Sequence, residues 1–156
     1  MNLDKINTWL SLLANFGVLV GVLFLVLEMQ QNSQLMRSQT RDSLAEKNVE
    51  WRYAIAGNME TAQLFADGPR IMGDPQFDAE YFALASLYDA RLRIWENELY
   101  QYQQGLYDEG EFRARLDSWK YNFRNKPDIA IFWEIRRGSY SQEFTDLIDS
   151  VIAETE

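Results

Sequence analysis

The feature that most constrains this chain is an apolar run from Leu10 to Leu27 that contains no charged residue. The positions in the run that are not hydrophobic are Ser11, Asn15, Gly17 and Gly21. At about 1.5 Å per residue, an α-helix of these 18 residues extends about 27 Å. Ile6 to Trp9 and Met29 at its ends lengthen it to the thickness of a hydrocarbon core, about 30 Å. The run therefore predicts a membrane-spanning helix, with residues 1–28 as the membrane anchor.

Two other interpretations of the run are a cleaved signal peptide and a buried core helix. A signal peptide has a shorter apolar region, about 7 to 15 residues, and the following EMQQNSQ offers no pair of small residues for cleavage. A buried helix with so long an uncharged run is uncommon in a chain of 156 residues. We therefore expect a retained single-pass anchor. More basic residues follow the run (Arg37, Arg41, Lys47) than precede it (Lys5), which favours a cytoplasmic C-terminal domain.

A strip of small residues lies on one face of the predicted span. Gly17 and Gly21 form a G-x-x-x-G pattern, and Ala14 lies on the same face one turn earlier. Such a strip lets a second helix backbone approach closely, so it predicts transmembrane helix packing and a homo-oligomer. The alternative is a chance spacing, since glycine is common in membrane helices. Asn15 favours a helix–helix contact, because its amide prefers a polar partner within hydrocarbon.

Residues 29–56 are predicted to form a helical stalk. Glu28 to Ser43 contains neither proline nor glycine, so nothing in this stretch ends the membrane helix at the lipid surface. Its apolar residues, Met29, Leu35 and Met36, form a sparse heptad-like seam. Three interpretations remain open: a weak parallel coiled coil, a solvated stalk, and a polar face that lines an aqueous vestibule in a ring of subunits.

The first 50 or so residues resemble a group of small uncharacterised bacterial membrane proteins with one N-terminal span and a helical tail. The residues that carry the resemblance are Trp9-Leu10, Ala14-Asn15-Phe16-Gly17-Val18, Gly21-Val22, Phe24-Leu25, Leu27-Glu28 and Gln31-Asn32. The resemblance implies a location in the bacterial inner membrane and supplies no functional residue. The architecture is also similar to CRISPR-associated membrane accessory proteins, which carry a HEPN-like domain behind a membrane helix and assemble into rings. HEPN ribonucleases use an Arg-to-His motif, and this chain contains no histidine.

Residues 57–156 are predicted to form a compact bundle of about five helices. The strongest helix prediction is Pro75 to Gln103, and the next helix is expected to follow Asp108 and Glu111, which have the spacing of a capping box. The apolar stripe of the first helix consists of Phe77, Tyr81, Leu84, Tyr88, Leu92, Trp95, Leu99 and Tyr102; that of the second consists of Phe112, Leu116, Trp119 and Phe123. The short turn between the two helices predicts an antiparallel hairpin packed through these stripes.

Shorter helices are expected on either side of this hairpin. Asn58 is a candidate N-cap for a helix from Glu60 to Ala66, and 67–75 is expected to be an irregular loop. Pro127 is expected to open another helix, and Ser139 with Gln142 to cap the last one. No segment shows sustained strand alternation, so the predicted fold class is all-α.

The composition excludes several function classes. With no cysteine and no histidine, the chain lacks the usual nucleophile pairs and thiolate or imidazole metal ligands. The net charge of −9 argues against nucleic acid as a partner. Most of its aromatic residues fall on the helical stripes, where core packing is the expected use. We therefore expect neither an enzyme nor a cofactor.

Two sets of charged residues are candidate sites. Asp89, Arg93 and Glu96 line one side of the predicted long helix, where alternating charges indicate a surface ion-pair ladder. A carboxylate set for a hard cation consists of Glu80, Asp89, Glu96 and Glu98, although no EF-hand or phosphate-binding loop accompanies it. The sequence thus predicts a membrane-anchored module for protein interaction or assembly, with an unidentified protein partner. The alternative is an oligomeric pore-forming or membrane-remodelling protein.

Overall fold

The computed structural model describes residues 3–74 and 76–154, without the side chains of Asp4 and Lys5. These residues form seven α-helices, one 3-10 turn and no strand, which confirms the all-α prediction. The helices are α1 (Leu3–Ala56), α2 (Met59–Ala66), α3 (Gly68–Gly73), α4 (Ala79–Gln103), α5 (Glu109–Asn125), α6 (Pro127–Arg136) and α7 (Gln142–Ala153), with the 3-10 turn at Arg137–Ser139.

Helix α1 contains the apolar run. It is long and apolar enough to cross a membrane, and its most apolar 18-residue window has a mean hydropathy of 2.5. None of that window is buried in the chain. The structure thus places the whole run in one helix with its apolar side chains exposed, except for the half-buried Val20.

The chain divides into two compact units, Met1–Gln39 and Thr40–Glu156. The last part of α1, residues 40–56, belongs to the second unit, where Leu44 is buried and the Trp51 indole donates to the Leu87 carbonyl over 3.1 Å. The predicted limits of the anchor and the stalk, at residues 28 and 56, stay predictions.

The core of the second unit forms around α4. Its buried stripe consists of Tyr81, Leu84, Tyr88, Leu92, Trp95 and Leu99, and it packs against buried aromatic and aliphatic residues of α5, α6 and α7. Trp95 stacks on Trp119 with ring centroids 5.2 Å apart, and Tyr102 stacks on Phe112 at 4.3 Å. Because the later residue of α4 meets the earlier residue of α5, the two helices run antiparallel, which confirms the predicted hairpin.

Helix α4 begins later than predicted. The Asp78 carboxylate accepts a hydrogen bond of 2.9 Å from the backbone amide of Tyr81, so Asp78 is the N-cap and the helix begins at Ala79 rather than at residue 75. Phe77, expected on the buried stripe, lies before the helix with a φ of 56° and is 63% exposed. Pro75 lies outside the described residues.

Six helices follow α1 in the described ranges, where about five were expected. The additional helix is α3, within the segment predicted to be an irregular loop; Pro69 is tolerated in its first turn, and Ile71 and Met72 are buried. The N-caps at Asn58 and Asp108 and the helix start at Pro127 are confirmed. The Ser139 cap was wrong: Ser139 ends the 3-10 turn, and Ser141 is the N-cap residue of α7.

Candidate functional site

The predicted packing strip on α1 is open in the structure. Ala14, Gly17 and Gly21 are all exposed, and a Cβ atom added at either glycine would meet no other atom within 4 Å. The helix backbone is therefore accessible along this face. Whether a second helix occupies it stays a prediction.

The second unit contains a buried polar cluster that joins α1 to the α4–α5 hairpin. We define the cluster as Asn48, Arg91, Glu98, Arg115 and Trp119. Glu98 is fully buried and accepts hydrogen bonds from Asn48 Nδ2 at 2.8 Å, from Arg115 Nε at 3.0 Å and from Trp119 Nε1 at 3.2 Å. The side-chain carbonyl oxygen of Asn48, Oδ1, accepts hydrogen bonds from Arg91 and Arg115, each over 2.7 Å. One asparagine and one glutamate therefore satisfy donors from two helices.

The cluster contains two cations and one anion. The Arg91 guanidinium lies over the rings of Trp51 and Trp95, 4.5 Å and 5.1 Å from their centroids, and its Nε has no hydrogen-bond partner among the residues that the structure describes. Burial and the nearby Arg115 lower the pKa of Arg91 to about 10, although Glu98 opposes the shift. Arg91 is therefore still protonated at neutral pH. The cluster thus links the last part of α1 to α4 and α5 through buried polar contacts.

A buried polar pair, Tyr88 and Asp128, lies between α4 and α6. The Tyr88 hydroxyl donates to Asp128, which is fully buried in the first turn of α6. Burial and this hydrogen bond raise the pKa of Tyr88 well above its usual range. The Gly68 backbone packs directly against the pair, since a Cβ there would lie 2.7 Å from the Tyr88 hydroxyl. The pair thus requires glycine at the start of α3.

The predicted ion-pair ladder on α4 has a tertiary role. Arg93 pairs with Glu96 at 2.9 Å, as expected, but Glu96 also accepts from the backbone amide of Ser141, and Asp89 from the Tyr140 hydroxyl, each at 2.8 Å. Partial burial opposes ionisation of Glu96, yet its hydrogen bonds and Arg93 hold its pKa below the usual value. These contacts fix α4 to the segment that precedes α7.

The proposed carboxylate set does not converge on a cation site. Glu80 pairs with Arg70 at 2.9 Å, while Glu98 belongs to the buried cluster and Glu96 to the α7 contact. Within the described ranges, no group of three or more acidic, histidine or cysteine residues is arranged to hold a metal ion.

A groove of about 510 Å³ lies between α4 and α6. We call it the α4–α6 groove; its lining residues are Phe77, Tyr81, Phe82, Ala85, Ser86, Asp89, Ala90, Phe132, Ile135 and Arg136. Three of its large apolar side chains, Phe77, Phe82 and Ile135, are more than half exposed, at 63%, 60% and 53%. The lining of the groove thus combines exposed aromatic rings with both signs of charge.

No family model matches the chain, and no curated protein and no solved structure matches it. The buried polar cluster was missed because Asn48 resembles the polar stalk around it and Glu98 was considered only as a member of the candidate carboxylate set. A signal was present, since Arg91 and Glu98 recur at helical spacing with Trp95 along the apolar stripe of α4.

Proposed function

We propose that this chain is a single-pass protein of the bacterial inner membrane whose helical domain, on the cytoplasmic side, serves protein interaction and assembly. The observation that carries the proposal is the apolar window of α1, none of which is buried in the chain. The proposed role is non-catalytic and requires no cofactor, and nucleic acid is not among the proposed partners.

The free energy of membrane insertion follows from the exposed side chains. The large apolar residues from Leu10 to Leu27 are between 45% and 67% exposed, except for Val20, which is half-buried. Moving about half of such a side chain out of water lowers its free energy by about 1 kcal/mol. The free energy of transfer of the whole run therefore favours a bilayer by on the order of 10 kcal/mol. Placing the polar side chains of Ser11 and Asn15 in hydrocarbon reduces this favourable free energy by roughly a few kcal/mol. A bilayer is therefore the environment that suits this helix.

Self-association is the second part of the proposal. Between helices in lipid, packing and polar contacts replace the hydrophobic effect, so close backbone approach decides whether two spans associate. Gly17 and Gly21 leave the backbone open on one face, and Ala14 extends that face by a turn. Copies of the chain would pack through this strip.

The test is the native mass of the full-length protein in lipid nanodiscs. We expect a defined multimer for the wild type and a smaller mass for Gly17→Leu/Gly21→Leu, because leucine separates the two backbones. Val26→Leu adds bulk on the side of the helix opposite Gly17 and should leave the multimer intact. A monomeric wild type would refute self-association. Ion leakage from vesicles that contain the wild type would favour the pore-forming alternative over an interaction module.

A further inference from the structure

The α4–α6 groove has an apolar floor and exposed apolar walls. Tyr81 and Phe132 form a buried floor, while Phe82 from α4 and Ile135 from α6 stand out on the two sides. The small residue Ala85 follows Phe82 by one turn, which leaves the trough open beside the aromatic ring. Exposed large apolar side chains around a concave surface are typical of protein contact sites.

Phe77 extends the apolar rim at a conformational cost. Its φ of 56° lies in the left-handed region, which costs a bulky residue about 1 kcal/mol or more. The ring contacts Tyr81 edge-on, with centroids 4.9 Å apart, yet remains 63% exposed. The chain thus holds an aromatic ring at the mouth of the groove in a backbone conformation that the ring does not itself favour.

The charges of the groove are balanced, unlike those of the chain. The whole chain carries −9, whereas the groove is lined by one carboxylate, Asp89, and one guanidinium, Arg136. Arg136 is exposed and forms no ion pair with any of the residues described. Asp89 uses Oδ1 for the Tyr140 hydroxyl. Two acidic chains that meet at this face avoid the repulsion that most of their surface would produce.

We infer that the α4–α6 groove is a contact surface for a second copy of this chain. A two-fold contact places the same patch on both copies, so that a residue i meets j and j meets i. The groove satisfies this condition, since Arg136 of each copy would face Asp89 of the other while the two Phe82 rings pack between them. A lipid surface would set Asp89 against anionic headgroups, and a different protein would need to match both charges.

This contact goes beyond the proposed function and does not depend on the glycine strip. The natural chain contains no cysteine, so one introduced thiol reports on one position. Ser86 lies in the groove and Ser150 on α7; both are exposed, and each hydroxyl donates to a carbonyl of its own helix, at 2.8 Å and 2.7 Å. Ser86→Cys and Ser150→Cys are therefore a matched test and control.

The experiment compares the rates at which these two full-length variants form cross-linked dimers in nanodiscs with a short bismaleimide. We expect Ser86→Cys to cross-link at least tenfold faster than Ser150→Cys. Equal rates would overturn the inference, and this is also the result expected if the groove receives lipid or a different protein. The comparison is repeated with Gly17→Leu/Gly21→Leu present, where the ratio of rates should persist. A mass that Gly17→Leu/Gly21→Leu leaves unchanged, with the ratio retained, would refute only the glycine strip, and loss of the ratio would refute the groove contact.

A charge change tests the pairing itself. With Ser86→Cys present, Arg136→Asp should slow cross-linking at least fivefold, because each copy would then present two carboxylates to the other. Arg124→Asp makes the same change at an exposed arginine on α5 and should have no effect. Equal rates in the two variants would contradict the reciprocal Arg136–Asp89 contact.

Discussion

Replacing Glu98 by glutamine tests whether the buried polar cluster holds the second unit together. Asn48 and Arg115 both donate to Oε1, and Trp119 donates to Oε2. A glutamine keeps the shape of the side chain but removes its charge. It also places an NH₂ group opposite at least one of the three donors. Buried Arg91 and half-buried Arg115 would then lack their anion.

The magnitude follows from these contacts. A hydrogen bond to a charged group contributes about 1.5 to 3 kcal/mol and a neutral one about 0.5 to 1.5, so the two bonds at Oε1 lose about 2 kcal/mol in all. The Trp119 N–H left opposite another donor adds about 1 kcal/mol or more. Arg115 retains 20% exposure and recovers part of the loss through water. We expect Glu98→Gln to lower the free energy of unfolding by about 3 kcal/mol.

The assay is denaturant unfolding of the full-length protein in detergent, followed by tryptophan fluorescence, since Trp95 and Trp119 lie beside Glu98. Glu109→Gln is the matched control, because Glu109 is 60% exposed and pairs with Arg113 four residues later. Such a surface pair contributes about 0.5 kcal/mol or less. A loss for Glu98→Gln within about 1 kcal/mol of the control loss would refute the reasoning about buried charge.

Three further predictions concern other contacts of the second unit. Gly68→Ala should cost about 2 to 4 kcal/mol by displacing the buried tyrosine–aspartate pair, whereas Gly73→Ala, with open space around its Cβ position, should be neutral or slightly stabilising in the same unfolding assay. Because the folded pKa of Glu96 is depressed, its contribution is present at neutral pH and lost in acid, so the stability difference between wild type and Glu96→Gln should shrink as the pH falls below 4.5; a constant difference would contradict this. Burial and its bond to a carboxylate raise the pKa of Tyr140, so stability should fall as the pH rises above 10, and less steeply in Tyr140→Phe; equal slopes would exclude this contribution.

The sequence was most informative where local signals agreed. The α4–α5 hairpin was predicted because two apolar stripes at helical spacing are joined by a turn with a cap at Asp108, and each of these signals is set by neighbouring residues. The all-α class and the long apolar helix followed from the same kind of evidence.

Local signals failed where they competed. By its spacing, Phe77 belongs to the apolar stripe of α4. The helix begins only after the N-cap at Asp78, however, so Phe77 lies outside it. The segment that contains Pro69 has the composition of a loop, yet burial of Ile71 and Met72 stabilises a short helix there. In both places the outcome depended on a contact that spacing alone does not reveal.

Long-range polar contacts were beyond the sequence. Glu98 was considered only as one carboxylate of the candidate cation set, and a fully buried glutamate is rare unless it is paired. Its partner Asn48 lies 50 residues earlier in the chain, in a stretch predicted to be stalk. No local pattern joins the two. No local pattern predicts the α4–α6 groove either, because its charged residues, Asp89 and Arg136, lie on separate helices.

The central claim is that α1 crosses a membrane, and single-cysteine labelling tests it most directly. Cysteines are introduced one at a time at Asn7, Val18 and Ser38 in the cysteine-free chain, and intact membrane vesicles are treated with a membrane-impermeant maleimide. The account predicts that Val18→Cys reacts only after detergent is added, and that the thiols at positions 7 and 38 react from opposite sides, with position 38 on the cytoplasmic side. Rapid labelling of Val18→Cys in intact vesicles, or labelling of both flanking positions from one side, would contradict a single membrane-spanning helix.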